Sequence, residues 1–241
     1  MKIIQFLKGL LLLIPVSLIF APLSTLFLFV TYLNRLVIWT IKNRKNLLFS
    51  DFYTPLRNYE KRIQLYEFVI NQYSLKEEPL LYLEFGVASG SSFRWWLEAN
   101  KHPESSFCGF DTFEGLPEQW GVFFAKGDMS SAVPMVEDDR ACFEKGLFQE
   151  TLVPFLHKER DVLSESRRKV IHLDADLYSS TAFVLSQLYP FLSKGDILFF
   201  DEFNVPLHEF RAFYEFTNNF YVKLTPVGAV NNFYQMAFIV E

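Results

Sequence analysis

The chain has 241 residues, half of them apolar and 28 of them phenylalanine, with a net charge of −5. That length supports one sizeable core plus an appendage, and the mild acidity without a basic face excludes a general nucleic-acid binder. Cys108 and Cys142 have neither metal-ligand spacing nor a disulfide framework around them, so a reduced, cytosolic setting is expected.

From Gly9 to Asn34 the sequence carries no charge, and about 20 such residues suffice for a helix to cross a bilayer. The run is longer than the apolar region of a signal peptide, so it reads as a membrane segment. Pro15 and Pro22 each remove a backbone donor, which leaves a re-entrant hairpin as the alternative to a span. Arg35, Lys42, Arg44 and Lys45 follow the run while Lys2 and Lys8 precede it, a bias that puts the globular part in the cytoplasm. Residues 1–45 are thus expected to be a membrane segment with a basic juxtamembrane linker, and residues 46–241 a globular domain.

Beyond the linker, Ile63, Tyr66, Val69 and Ile70 recur at helical spacing. The pattern then predicts a strand over 80–85, a helix over 91–100, a strand over 106–111 and an irregular stretch over 112–135. A helix over 136–144 follows, then a helical stretch from Gln149, a strand over 169–174, a helix over 180–192, a strand over 196–201 and a helix over 207–217. Two strands near 221–225 and 235–240 close the chain. Such alternation predicts an α/β fold with a mostly parallel sheet and helices on both faces.

In "LLYLEFGVASGSS" a buried strand ends at Glu84, and Gly86 and Gly90 punctuate the loop before a helix opening at Ser91 or Ser92. Glycines there let a ligand approach the backbone, and the helix start offers free amides to an anion. A tight strand-to-helix turn explains the same residues. Asp111 ends the next strand, where an α/β site reads ribose hydroxyls, although Asp also caps turns. Asp174 and Asp176 stand two apart at the end of "KVIHL" and converge if the backbone stays extended; Asp201 and Glu202 end the following strand. Carboxylates gathered at one sheet edge repel one another unless a cation lies among them, and oxygen-only ligands suit Mg²⁺, Mn²⁺ or Ca²⁺. Capping is the alternative for either pair alone. His172 is expected to be a core histidine bonded to a backbone carbonyl. The aromatic interval 114–134 reads as a lid, in which Trp120, Phe123 and Phe124 either stack on a sugar ring or cover the core.

The strings "LEFGVASGSS", "GFDTFEGLP", "EKGLFQETLVPF" and "IHLDADLYSSTAFVLSQLYPFLSKGDILFFDEF", in that order over about residues 55–240, resemble the class I S-adenosylmethionine-dependent methyltransferases of the macrocin O-methyltransferase type. The resemblance implies a Rossmann-like sheet of seven strands and O-methylation of a sugar hydroxyl in a glycan, glycolipid or natural product. It implies that Glu84, Gly86, Ser91 and Ser92 hold the methionine end of S-adenosylmethionine, with Asp111 on the ribose and Phe113 near the adenine. Asp174, Asp201 and Glu202 would bind Mg²⁺, and Asp176 would take the proton from the acceptor. Glu202 stands where the family usually has Asp. The hydrophobic N-terminus adds an anchor and, with it, a lipid-linked acceptor at the cytoplasmic surface; self-association stays open. The rivals are a nucleotide-dependent enzyme on a similar sheet, and a noncatalytic membrane-tethered binding protein that keeps the fold.

Overall fold

The computed structural model describes residues 1–13, 16–165 and 167–241. Its strands are β1 (Phe49–Ser50), β2 (Leu80–Phe85), β3 (Ser106–Asp111), β4 (Ala141–Lys145), β5 (Arg168–Leu173), β6 (Ile197–Phe200), β7 (Leu224–Val230) and β8 (Gln235–Val240). They form one sheet in the order β1-β7-β8-β6-β5-β2-β3-β4, in which β8 runs antiparallel to both its neighbours and the other pairings are parallel. The sheet therefore has eight strands, not the expected seven. The addition is β1, whose two residues pair with Gly228 and Ala229 of β7 and are too few to show a period-two pattern.

The helices are α1 (Lys2–Leu13), α2 (Val16–Asn43), α3 (Lys61–Gln72), α4 (Ser91–Ala99), α5 (Phe148–Lys158), α6 (Arg160–Ser164), α7 (Tyr178–Leu188) and α8 (Glu209–Asn219). Strands β2 and β5 are buried on both faces, which is why they read as unbroken apolar runs. Leu81, Leu83 and Phe85 point into a core shared with α5, α7 and α8, while Leu80 and Tyr82 point into one shared with α3 and α4. Alternate residues thus serve opposite faces, and the helices sandwich the sheet.

The helix expected over 136–144 is instead an irregular stretch leading into β4, which pairs with β3 at the sheet edge. The half-exposed β4 carries Ala141, Glu144 and Lys145, good helix formers, so local propensity favours a helix; pairing with β3 overrides it. Cys108 and Cys142 face each other in that pairing as free thiols.

The second hydrophobic helix does not end at the basic residues. Of its two prolines invoked above, Pro15 lies outside the described residues and Pro22 sits inside α2. From Tyr32 onward α2 is docked on the domain: Tyr32 and Leu36 are buried, and Trp39 packs 4.9 Å from Phe203 and 5.9 Å from Phe238 between ring centroids. Spacings of four and three put these residues on one stripe of the helix.

Candidate active site

Four parallel strands, β3, β2, β5 and β6, end side by side, and their carboxyl ends carry the polar residues of a cavity of about 990 Å³. Open α/β sheets bind ligands at this edge. Gly86, Asp111, Asp174, Asp176, Asp201 and Glu202 all line the cavity.

After β2, the Gly86 amide donates to the Phe110 carbonyl at 2.9 Å, and Gly86 takes a φ of +94° that disfavours any side chain. Gly90, at φ +77°, opens α4. Asp111 ties this loop down from β3. One carboxylate oxygen accepts the amides of Val87 and Ala88, each at 2.8 Å, and the other accepts the Phe113 amide at 2.7 Å. Asp111 therefore caps the turn and lines the cavity at once, with lone pairs remaining for a ligand.

Glu84 is buried, and its Oε2 accepts the Tyr82 hydroxyl at 2.7 Å. Burial pushes its carboxyl up to about 7, against the pull of His172, the Tyr82 hydrogen bond and Arg62. Ser91 is exposed and accepts the Arg62 guanidinium at 2.8 Å, whereas Ser92 is buried and accepts Tyr66 at 3.4 Å. Neither serine lines the cavity, and nor do Glu84, which is buried behind it, and Phe113, which is buried edge-on to Phe143 at 6.3 Å. A helix start fixes which way each side chain leaves, and the sequence motif does not carry that direction.

The acids of β5 and β6 do converge. Ligand atoms of Asp174, Asp176 and Glu202 lie within 4.8 Å of one another, as do those of His172, Asp174 and Asp201. Extended backbone does not deliver Asp176, however. It sits at φ +55° at the centre of a three-residue turn in which the Leu177 amide donates to the Ala175 carbonyl. Such turns are strained and recur where a side chain must be aimed. Asp201 is held by the Gln235 amide at 3.4 Å and Glu202 by the Tyr234 hydroxyl at 3.0 Å. Asp201 Oδ1 and Glu202 Oε2 are buried and have no hydrogen-bond partner among the described residues.

Burial and nearby negative charge raise the proton affinity of Asp174, Asp176 and Glu202. Asp174 is pushed well above the carboxylate range by burial and by Asp201 and Asp176; Glu202 by burial and by Asp174 and Asp201. Asp176 rises to about 7, through burial and then the charges of Asp201 and Asp111. Orphaned oxygens and excess negative charge suit a hard divalent cation, so the residues present fit one.

Three participants escape the sequence motifs. Glu209, wholly buried in the first turn of α8, accepts the Glu202 amide at 2.9 Å and so fixes the end of β6. Arg62 on α3 lines the cavity as a cation among the acids; burial opposes its charge, but Tyr66, Asp201, Asp174 and Glu84 outweigh that. Tyr234 comes from the β7–β8 turn, under Arg57, whose guanidinium lies 3.4 Å from the ring centroid. His172 is bonded not to a carbonyl but to two hydroxyls, Tyr66 at 3.2 Å and Tyr82 at 3.0 Å.

Over the cavity, the lid folds as a short hairpin. Trp120 and Phe124 stack at 4.9 Å and exchange backbone hydrogen bonds. Trp120, Phe123 and Phe124 line the cavity rather than close the core, with Phe123 at its outer rim.

Residues 60–235 match the model of the macrocin-O-methyltransferase (TylF) family. Among solved structures, CalS11, a calicheamicin methyltransferase, superposes with a TM-score of 0.59 at 19% identity, covering 87% of this chain and 91% of that one. The O-methyltransferase NovP superposes with a TM-score of 0.51 at 22% identity, covering 75% and 78%. At these identities the likeness is one of fold. Apo CalS11, described as a TDP-rhamnose 3'-O-methyltransferase, gives 0.53 at 19% identity over 87% and 93%. No curated protein matches the sequence.

Proposed function

Because the chain belongs to the macrocin-O-methyltransferase (TylF) family, and so is an S-adenosylmethionine-dependent O-methyltransferase, we propose that it methylates a sugar hydroxyl in a glycan, glycolipid or natural product with the help of Mg²⁺. The observation that carries this reading is the convergence of Asp174, Asp176, Asp201 and Glu202 on the cavity that also receives Gly86 and Asp111.

In this reading Asp111 takes the ribose hydroxyls while it braces the glycine loop. Glu84 and Gly86 flank the methionine end of the cofactor, and Arg62 pairs with its carboxylate. Ser91 acts through Arg62, to which it is bonded, and Ser92 and Phe113 support the walls from behind. Asp174, Asp201 and Glu202 would hold Mg²⁺, which when bound supplies Lewis-acid polarisation of the acceptor oxygen. Asp176, raised to about 7, accepts the acceptor's proton as that oxygen attacks the methyl carbon in line. Trp120 and Phe124 stack on the sugar and exclude water.

The same reading keeps residues 1–45 as a membrane anchor and 46–241 as a cytoplasmic catalytic domain without nucleic-acid partners. It is supported by Pro22–Asn43, the one helix among the described residues long and apolar enough by length and composition to cross a membrane, whose part before Tyr32 is not docked on the domain.

Methyl transfer from labelled S-adenosylmethionine to TDP-rhamnose, dodecyl glucoside and catechol, with and without a chelator, tests the proposal. The expected result is transfer to a sugar-bearing acceptor, lost in chelator and regained with Mg²⁺. Full activity in chelator, or transfer to catechol alone, overturns it.

A further inference from the structure

The anchor helix and the lid meet the domain at the same two helix starts. Tyr32 of α2 donates its hydroxyl to Glu215, which also accepts Tyr178 at the first turn of α7. Arg211, in the first turn of α8, lies over both rings, 4.0 Å from the centroid of Tyr178 and 5.5 Å from that of Tyr32. The lid rests on the neighbouring positions. Ser179 donates to Glu118 at 2.6 Å, and Trp120 meets His208 edge-on at 6.4 Å. Both attachments therefore lie at the cavity edge of the sheet.

Before Tyr32 the helix changes character. Leu26, Phe27, Leu28, Phe29 and Val30 are all exposed, and five consecutive helical residues point in every direction, so no face of that segment is covered. An apolar helix uncovered all round is better solvated by lipid than by water. The lid ends in a similar way: Val122 and Phe123, at the tip of the Trp120–Phe124 hairpin, are 83% and 87% exposed. Water is a poor solvent for such a tip, and a bilayer entered by α2 beside it supplies a better one.

We propose that the cavity mouth is apposed to a lipid bilayer, with α2 inserted and Val122 and Phe123 dipping into the same surface, and that the acceptor is an amphiphile whose polar head enters the cavity from the membrane. The acceptor assignment rests on the transferase reading above; the surface contact does not.

The test uses the full chain in phosphatidylcholine nanodiscs containing spin-labelled (doxyl) phosphatidylcholine. The exposed thiol is removed by Cys142→Ser, and an environment-sensitive fluorophore is attached at Leu26→Cys, Phe123→Cys or Tyr221→Cys. Tyr221 is 88% exposed between α8 and β7, at the opposite edge of the sheet. Quenching at 26 and at 123 at least twofold stronger than at 221 is expected. A quenched label at 26 with equal signals at 123 and 221 overturns the proposal, because the mouth then faces away from the lipid. No quenching at 26 overturns it as well. Shielding of the 123 label that scales with protein concentration rather than with lipid means that a second copy covers the tip, and also overturns it. Calorimetry with S-adenosylhomocysteine on the same samples separates the two claims: absent binding removes the acceptor assignment, whatever the labels report.

Discussion

A Cβ added to Gly86 would lie 1.7 Å from the carbonyl oxygen of Asp174. The glycine loop of β2 and the acidic loop of β5 are thus packed backbone to backbone, and Gly86 is needed by a neighbouring loop as much as by any ligand.

Gly86→Ala is therefore expected to lower stability by about 2–4 kcal/mol, from the forced shift together with the unfavourable φ. It should also weaken S-adenosylhomocysteine binding and activity together, since both loops must move. Gly121→Ala, where a Cβ meets nothing within 4 Å, separates φ strain from the clash. Urea unfolding and calorimetry on both variants check this; equal losses would leave only the strain.

Asp176→Asn keeps the shape of the turn and removes the proton acceptor. S-adenosylhomocysteine affinity should change little while kcat falls on the order of 10²–10⁴-fold, the usual range for a lost general base. A variant that turns over at the native rate shows that the proton leaves by another route.

For Arg62→Met, loss of a charge-assisted pair predicts a rise in Kd for S-adenosylhomocysteine of roughly 10–100-fold. Methylthioadenosine, which lacks the amino-acid end, should bind both proteins alike. If the two ligands weaken together, Arg62 is holding the fold and not a carboxylate.

Without metal, the buried acids make stability fall as pH rises. Glu84 and Asp176 titrate near 7 in the folded protein but near the ordinary carboxylate values of 4.5 and 3.8 when unfolded. Below those ordinary values both states are protonated and nothing is lost. Between them and about 7 the folded state holds the extra protons, so each group costs roughly 1.4 kcal/mol for every pH step of one across that interval, and the loss is complete above 7. Asp174 and Glu202 add in the same direction. The Tm of the chelator-treated protein should fall by about 10–20 °C between pH 5 and 8, and Mg²⁺ should recover much of that at pH 8. A Tm that is flat or rises with pH, or is indifferent to Mg²⁺, contradicts the fit of a cation to this cluster.

The strands that build the site were readable because β2 and β5 are buried on both faces and leave a continuous apolar signature ending in acids. β4 was not, since an edge strand shows solvent half its residues and charged side chains there look helical. Within the site, Asp111, Asp174, Asp176, Asp201 and Glu202 could be named because each follows a strand end, and strand ends share an edge. Ser91, Ser92 and Phe113 could be named but not aimed, because orientation depends on φ values at Gly90 and Phe113 that a string of letters does not specify. Arg62 reaches the cavity, and Glu209 reaches the Glu202 amide behind it, only through packing of α3 and α8, a long-range relation without a local pattern.

The two residues of β1 do more than lengthen the sheet. They cover the outer rim of β7, with the Leu48 amide donating to the Val227 carbonyl just before them. A chain trimmed to the family-matched residues 60–235 would lose β1 and most of β8 together, baring unpaired backbone along the sheet and the ring cluster under Trp39. Exposed strand rims template pairing with other chains. Such a fragment is expected to precipitate through its sheet.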